Sequence, residues 1–542
     1  MKRLKRKLPL VISLLALASC GGGESISSST SSKTNNIEKP EGAKIVLYAG
    51  GSSEFNWVLG SEEKSVIDYI ENKYYQETGN ALDFEINFLG EDMQTKLSSE
   101  LAAGNQVDIV VSHTRGGVGL DDKLKGETDH YNLYDAIYEL APNLYEAVKG
   151  DPLDSMTTST KDTVCIPSAI SPYKFGILVR KDLMEKAGYT DDPTKTDLEL
   201  VDNLETFEKM CLKMNGLTGN SYAITGAAWD LEKVITLGAY ADAGYFTSAL
   251  VSEDGKELVR KGGCTSAYKD VLSLEYQWAQ KGVVSKEANS ILLTDGESNF
   301  IAGKTGVFVQ DPTIQHLIKI SRMTKAQNKE AEFTVLGPLS AKKGSTKKGF
   351  MRNPIATFGA AITKKSQRVN EIMSFLNWVY QNEDNYNLCR YGIEGTHWVN
   401  NGDGTYSYPE GKEYYATSPA YSGILTLVEN QRMSNLLYKG YSKEELHWIK
   451  DIAGNSANYI NNDVNDYLFT MNDEFNIKQG QATEKLYAMA VDAWTGKKDP
   501  TALSSNGVDS IYDSVAREYR EKCEVIDKYL TEQYKIMKAS RE

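Results

Sequence analysis

Histidine and cysteine are scarce in this chain, five and six in 542 residues. The histidines form no HExxH pair, which removes the simplest zinc-hydrolase signature, and no Ser-His-Asp arrangement is legible. Cys20, Cys165, Cys211, Cys264, Cys389 and Cys523 are widely spaced and form no CxxC, so neither a structural zinc site nor a disulfide framework is written into the chain. The five cysteines after Cys20 read as buried thiols. Neither GxGxxG nor GxxxxGK[ST] occurs, so no phosphate-cradling loop is present. Basic charge is also short: 60 Lys and Arg stand against 74 Asp and Glu, a net charge of −14. An acidic surface repels phosphate backbones and excludes nucleic acid as the natural partner. Nothing calls for a cofactor or a metal. Long apolar runs are missing too, and the one exception, Leu8 to Ala18, is shorter than the roughly 20 residues a bilayer requires.

That exception is informative. MKRLKRK places five positive charges before the apolar run, and Ala18 and Ser19 are small residues where an export peptidase would cut. Leu17-Ala18-Ser19-Cys20 resembles the bacterial lipobox, in which the cysteine is acylated and becomes the first residue of the mature protein. Residues 1–19 are therefore expected to be a lipoprotein signal peptide. Residues 20–42 are expected to be the lipidated Cys20 and a Gly/Ser/Thr/Asn tether, too poor in apolar groups to offset the entropy of ordering. Removing the five basic residues of MKRLKRK leaves 55 basic against 74 acidic residues, near −19 for the mature chain. At 41% hydrophobic residues the remainder suits a globular body of two or more domains.

The body opens with a strand and helix rhythm. KIVLYAGG is a buried strand, Lys64 to Thr78 an amphipathic helix, DFEINFLG a strand, Met93 to Ala103 a helix and VDIVVSH a strand. This βαβαβ order predicts a parallel sheet, whose ligands sit beyond the carboxyl ends of the strands. The segments leaving those ends are Ala49 to Trp57 and Ser112 to Gly117, which makes Trp57, His113 and Arg115 candidate ligand contacts. Further on, Pro167 and Pro172 punctuate VCIPSAISPYKFGILVRKDLMEKAG, as expected where a chain crosses between domains.

LSSELAAGNQVDIVVSH, NLYDAIYELAPNL and IPSA…FGILVRKDLMEKAG together resemble the extracellular solute-binding proteins of ABC importers, in the sugar-binding branch related to maltose-binding protein. NFIAGKTGVFVQDP (Asn299 to Pro312), FGAAITKKSQRVNEIMSFLNWVY (Phe358 to Tyr380) and YGIEGTHW (Tyr391 to Trp398) continue the likeness in order. The resemblance implies an α/β, two-lobed periplasmic-binding-protein-like fold (type II) with three interlobe crossings and a ligand cleft between the lobes. It implies lobe one at 43–175 plus 337–395 and lobe two at 176–336 plus 396–542. It also implies a monomer, lipid-anchored on the extracytoplasmic face of a bacterial membrane, that hands a carbohydrate to ABC permease subunits.

Sugars present apolar C–H faces and many hydroxyls, so a site needs aromatic platforms and side chains with several donors or acceptors. Trp229 and Asp230 lie between a short strand and a helix, and the resemblance implies an aromatic platform there. Gln310 and Asp311 end the GKTGVFV strand, Arg352 and Asn353 precede ATFGAAI, and Trp398 closes the YGIEGTHW motif. Trp278 and Trp378 fall at apolar spacing inside amphipathic helices and read as core; Trp448 and Trp494 read the same way. NNGDGTY (Asn400 to Tyr406) has no closing glutamate and reads as a hairpin turn rather than a calcium loop. Two other classes stay open on these residues alone: an anchored glycoside hydrolase with two carboxylates, and a surface adhesin or structural lipoprotein.

Overall fold

The strand read from KIVLYA is buried on both faces, from Ile45 at 0% exposure to Ala49 at 1%. A continuous apolar run of this kind marks a strand covered by helices on both sides. The computed structural model describes residues 39–542 except 51–58, 90–92, 114–130, 227, 241–249, 253–254, 260–263, 347, 353–354, 357 and 461–462. Strand β1 (Ala43–Ala49) is followed by α1 (Glu63–Thr78), β2 (Leu82–Phe88), α2 (Met93–Ala102), β3 (Ile109–His113) and β4 (Ile166–Pro167). Both β2 and β3 pair in parallel with β1, as the βαβαβ order requires. On α1, Val66, Ile67, Ile70 and Tyr74 turn inward at helical spacing.

The chain then leaves this sheet. Strands β5 (Ile177–Arg180), β6 (Ile224–Thr225), β7 (Val307–Phe308) and β8 (Phe333–Leu336) make a second sheet in the order β8-β5-β7-β6. Strand β9 (Phe358–Ile362) returns to the first sheet, antiparallel to both β3 and β4, giving the order β2-β1-β3-β9-β4. Pro167 thus sits on an edge strand, where its missing N–H costs no ladder bond. The core around the second sheet continues into a cluster where α3 (Ser266–Lys281) meets two long C-terminal helices, α4 (Asp473–Trp494) and α5 (Ile511–Arg541).

The first core takes in more of the chain than the boundary at 395 read from the sequence. Tyr421, Ile424, Leu425, Leu427 and Val428 pack in the same cluster as β1, β3 and β9. The anchor is Glu63, whose buried carboxylate accepts from the Ser422 amide at 2.8 Å, the Ser422 hydroxyl at 2.6 Å and the Gly60 amide at 3.0 Å. The third crossing therefore falls between Val428 and Trp448, which belongs to a core cluster of the second lobe. Ala169 in the first crossing forms a parallel bridge with Asn430 in the third.

Trp278, Trp378, Trp448 and Trp494 are all buried. Asn400 and Tyr406 face each other across an antiparallel hairpin, as read from NNGDGTY. Cys165, Cys211, Cys389 and Cys523 are buried free thiols, and Cys264 is half-buried. Lys39, within the stretch read as tether, is also tied to the body. The Lys39 amide donates to Asn72 Oδ1 at 3.2 Å, and its ammonium pairs with Glu71 at 3.2 Å and with Asp83. A mature chain trimmed to begin at Lys39 is accordingly expected to match the untrimmed chain in urea denaturation. One trimmed to Gly42 should lose about 1 kcal/mol, because Glu71 keeps its burial without its cation.

Candidate functional site

Strands β6 and β7 are parallel neighbours, so their carboxyl ends lie side by side and launch two segments together, 226–230 after Thr225 and 309–313 after Phe308. Gly226 permits their approach. It has φ +150°, and a Cβ placed there would stand 2.8 Å from Val309 Cγ2 and 3.1 Å from the Gln310 nitrogen. The two segments join where the Asp311 amide donates to Asp230 Oδ2 at 3.1 Å.

Asp311 adopts the left-handed region, φ +47°, which is costly for a residue with a side chain. The surroundings fix it there. Its carboxylate Oδ2 lies 2.8 Å from His316 Nδ1, and His316 Nε2 lies 2.8 Å from Glu297 Oε1. On the main chain, the Pro312 carbonyl accepts from the Gly176 amide at 3.1 Å, and the Ile314 amide donates to the Lys174 carbonyl at 2.8 Å. The segment after β7 is thereby tied to the first interlobe crossing on one side and to Asp230 on the other. Burial disfavours a charged His316, but the hydrogen bonds and charges of Asp311 and Glu297 outweigh it and raise the pKa above its ordinary value. The hydrogen bond from His316 correspondingly lowers that of Glu297.

Trp229 is half-buried. Its ring meets Trp494 edge-on at 5.6 Å between centroids, and Tyr487 at 6.3 Å. Trp494 is held in turn by a 2.8 Å hydrogen bond from its indole N–H to Glu275 Oε2. Glu275 and Glu232 are both buried beneath this aromatic group, and loss of water around them raises both carboxyl pKa values.

The other sequence candidates separate. Gln310 is 5% exposed; its amide N–H reaches back to the Ile291 carbonyl at 3.4 Å, and a Cβ on Gly296 would collide with its Oε1 at 1.9 Å. Arg352 is buried in an ion pair with Asp466, its Nη1 3.1 Å from Oδ1, and Asp466 also accepts from the Ile355 amide at 2.9 Å. Trp398 is 3% exposed, donates to the Gly392 carbonyl at 2.9 Å and lies 5.1 Å from the Tyr391 ring, within a packed tyrosine-rich group. His113 ends β3, paired with Phe358, but its side chain lies outside the described residues, as do Trp57, Arg115, Asn353 and Cys20.

Sequence reasoning missed His316, Glu297 and Asp466. For His316 a cue existed, since it is one of five histidines and follows Asp311 by five residues in DPTIQH. Asp466 lies 114 residues beyond Arg352 and offered none.

Two discontinuous lobes, three crossings and paired segments at the ends of parallel strands define a two-lobed ligand-binding protein. The chain belongs to the bacterial extracellular solute-binding protein family, whose profile matches residues 59–386. Its fold is similar to that of the N-glycan transport solute-binding protein NgtS from Streptococcus pneumoniae, at 14% identity and a TM-score of 0.60 over 90% of this chain and 99% of that one. The alginate-binding protein AlgQ2 aligns at 13% identity and a TM-score of 0.61, covering 94% of this chain and 99% of the other. The S. pneumoniae ABC-transporter substrate-binding protein FusA, solved with kestose, aligns at 16% identity and a TM-score of 0.59, covering 92% and 99%. Comparison with curated proteins gives no match.

The Arg352–Asp466 pair lies where the chain returns from the second lobe to the first. Replacing Arg352 by Ala would leave Asp466 as an uncompensated buried charge, expected to cost about 3–5 kcal/mol in denaturant unfolding. Replacing both residues by apolar ones should cost far less.

Proposed function

We propose that this protein is the capture component of an ABC importer, taking a carbohydrate of oligosaccharide size between its lobes and presenting it to permease subunits by hinge closure. The observation that carries the reading is the meeting of Trp229 and Asp230 with the Asp311 segment at the carboxyl ends of β6 and β7. A half-open indole offers a platform for a sugar ring, and carboxylates beside it accept from hydroxyls. The neighbours named for N-glycan transport and alginate binding, and the one that holds kestose, support the ligand class.

This region brings Asp230, Asp311 and Glu297 together around His316, with Lys319 also acting on Glu297, a carboxylate-rich setting that suits a neutral hydroxyl-rich ligand better than a uronic acid. The Glu232 and Glu275 carboxyls are buried away from solvent, so the pair does not favour a hydrolase. The family supports an extracytoplasmic location, and the lipobox-like run ending in Cys20 supports attachment to the membrane by lipid. We take the protein to act as a monomer.

A melting screen against neutral and acidic oligosaccharides tests the ligand. At a hundredfold excess over Kd a true ligand should stabilise by about 2.7 kcal/mol, with no product by chromatography; turnover would instead mark an enzyme. With that ligand, Trp229→Ala should weaken binding about ten- to a hundredfold. Because the ring also touches Trp494, affinity is to be compared at a temperature where both proteins are folded; unchanged affinity there rejects Trp229 as the platform. Independently, Cys20→Ala should abolish fatty-acid labelling and membrane retention, and labelling that persists would defeat the anchor.

A further inference from the structure

His316 is 6% exposed in the first turn of the helix Ile314–Gln327, with one ring nitrogen on Asp311 and the other on Glu297. Those carboxylates belong to different elements: Asp311 to the segment after β7, and Glu297 to the helix Leu293–Ile301. An ionised carboxylate only accepts, whereas a neutral imidazole carries a single N–H. Only the doubly protonated ring satisfies both 2.8 Å contacts at once. In the neutral ring one nitrogen would turn a lone pair toward a carboxylate oxygen, and that contact must open or recruit another donor.

We propose that His316 is a positioning residue of the ligand cleft, which as an imidazolium locks the 310–313 segment against Glu297 and on losing its proton lets that segment loosen. The inference rests on the reading of Trp229, Asp230 and the Asp311 segment as ligand-facing. Asp311 is the sensitive partner, because its left-handed backbone is held by few bonds: its own amide to Asp230, its carboxylate to His316, and its carbonyl, which accepts from the Thr313 amide at 2.8 Å. The charged groups that bear on His316 are Asp311 and Glu297; Lys319, one turn along the helix, acts on Glu297, and Asp230 acts through the Asp311 amide. The Phe308 ring, 5.7 Å away, closes the apolar side. The raised His316 pKa agrees with this arrangement and sets the sign. The lock is fully present below the unfolded histidine value of about 6.5 and is given up as pH rises through the higher folded value.

Hydrogen–deuterium exchange of the ligand-free mature chain tests this, followed in peptides covering 307–318 between about pH 5.5 and about pH 9 and corrected for intrinsic exchange. The wild type should lose protection there as His316 deprotonates. In Glu297→Gln the amide can donate to the unprotonated ring nitrogen, so neutral His316 is satisfied and protection should stay flat. His316→Gln, if it folds, should show low protection at every pH. A flat wild-type profile overturns the proposal, as does a Glu297→Gln profile that falls like the wild type's. No sugar is added, so a failure here leaves the Trp229 binding test standing, and a failure of that test leaves this one intact.

Discussion

The architecture depends on one insertion: Phe358–Ile362 enters the first sheet between β3 and β4, antiparallel to both. All five of its residues are buried, so the pairing carries a hydrophobic load as well as ladder bonds. Because β4 ends at Pro167 and its neighbour begins at Phe358, everything between them must be folded elsewhere, and the second sheet is built from that excursion. A chain that then returns to the second lobe after Val428 necessarily crosses three times. The paired crossings at Ala169 and Asn430 are a consequence of that topology.

The crossings do more than connect. The first one donates and accepts along its backbone with the segment after β7, through Gly176 to Pro312 and Ile314 to Lys174. Tyr459 adds a third tie, its hydroxyl accepting from the Phe175 amide at 2.7 Å. A change in lobe angle in this fold class is absorbed by a few residues at such crossings. Here the first crossing is hydrogen-bonded to the 309–313 segment, so hinge and proposed site share one hydrogen-bonded unit. Arg352 and Asp466 extend the unit to the second crossing, where a buried pair fixes geometry even though its net contribution to stability is small.

The sequence made the first sheet legible because β1 and β3 are continuous apolar runs and the helices between them keep their 3.6-residue period. It made the first crossing legible through Pro167 and Pro172. What it hid was contact over long separation. The Glu63–Ser422 bonds that draw 421–428 into the first core span 359 residues, and no local pattern announces them. Arg352 read as a candidate ligand contact because its ion-pair partner, Asp466, lies 114 residues downstream. Trp398 shows the opposite error of inference: an aromatic in a family-like motif suggests a platform, yet whether its face is open depends on Tyr391 and the backbone of Gly392. Trp229 was singled out because strand end, aromatic and carboxylate coincide locally, while its contact with Trp494 depends on a helix more than 200 residues away.

The electrostatics of His316 explain how Asp311 and Glu297 can sit so close to buried backbone. Burying an ion costs several kcal/mol, and a cation in the first turn of a helix meets an adverse dipole worth about 0.3–1 kcal/mol. Two charge-assisted hydrogen bonds, each contributing about 1.5–3 kcal/mol, oppose those terms. Neither side dominates by a wide margin, and that near balance keeps the group titratable rather than permanently charged. The dipole is the smallest of the three contributions, so the position of His316 on its helix matters less than the carboxylates on either side. Removing either carboxylate tips the balance toward the neutral ring. The imidazolium therefore depends on Asp311 being held where it is, just as the left-handed Asp311 depends on the imidazolium. Each group supplies the other's reason for an otherwise unfavourable state, and backbone geometry and charge are set together.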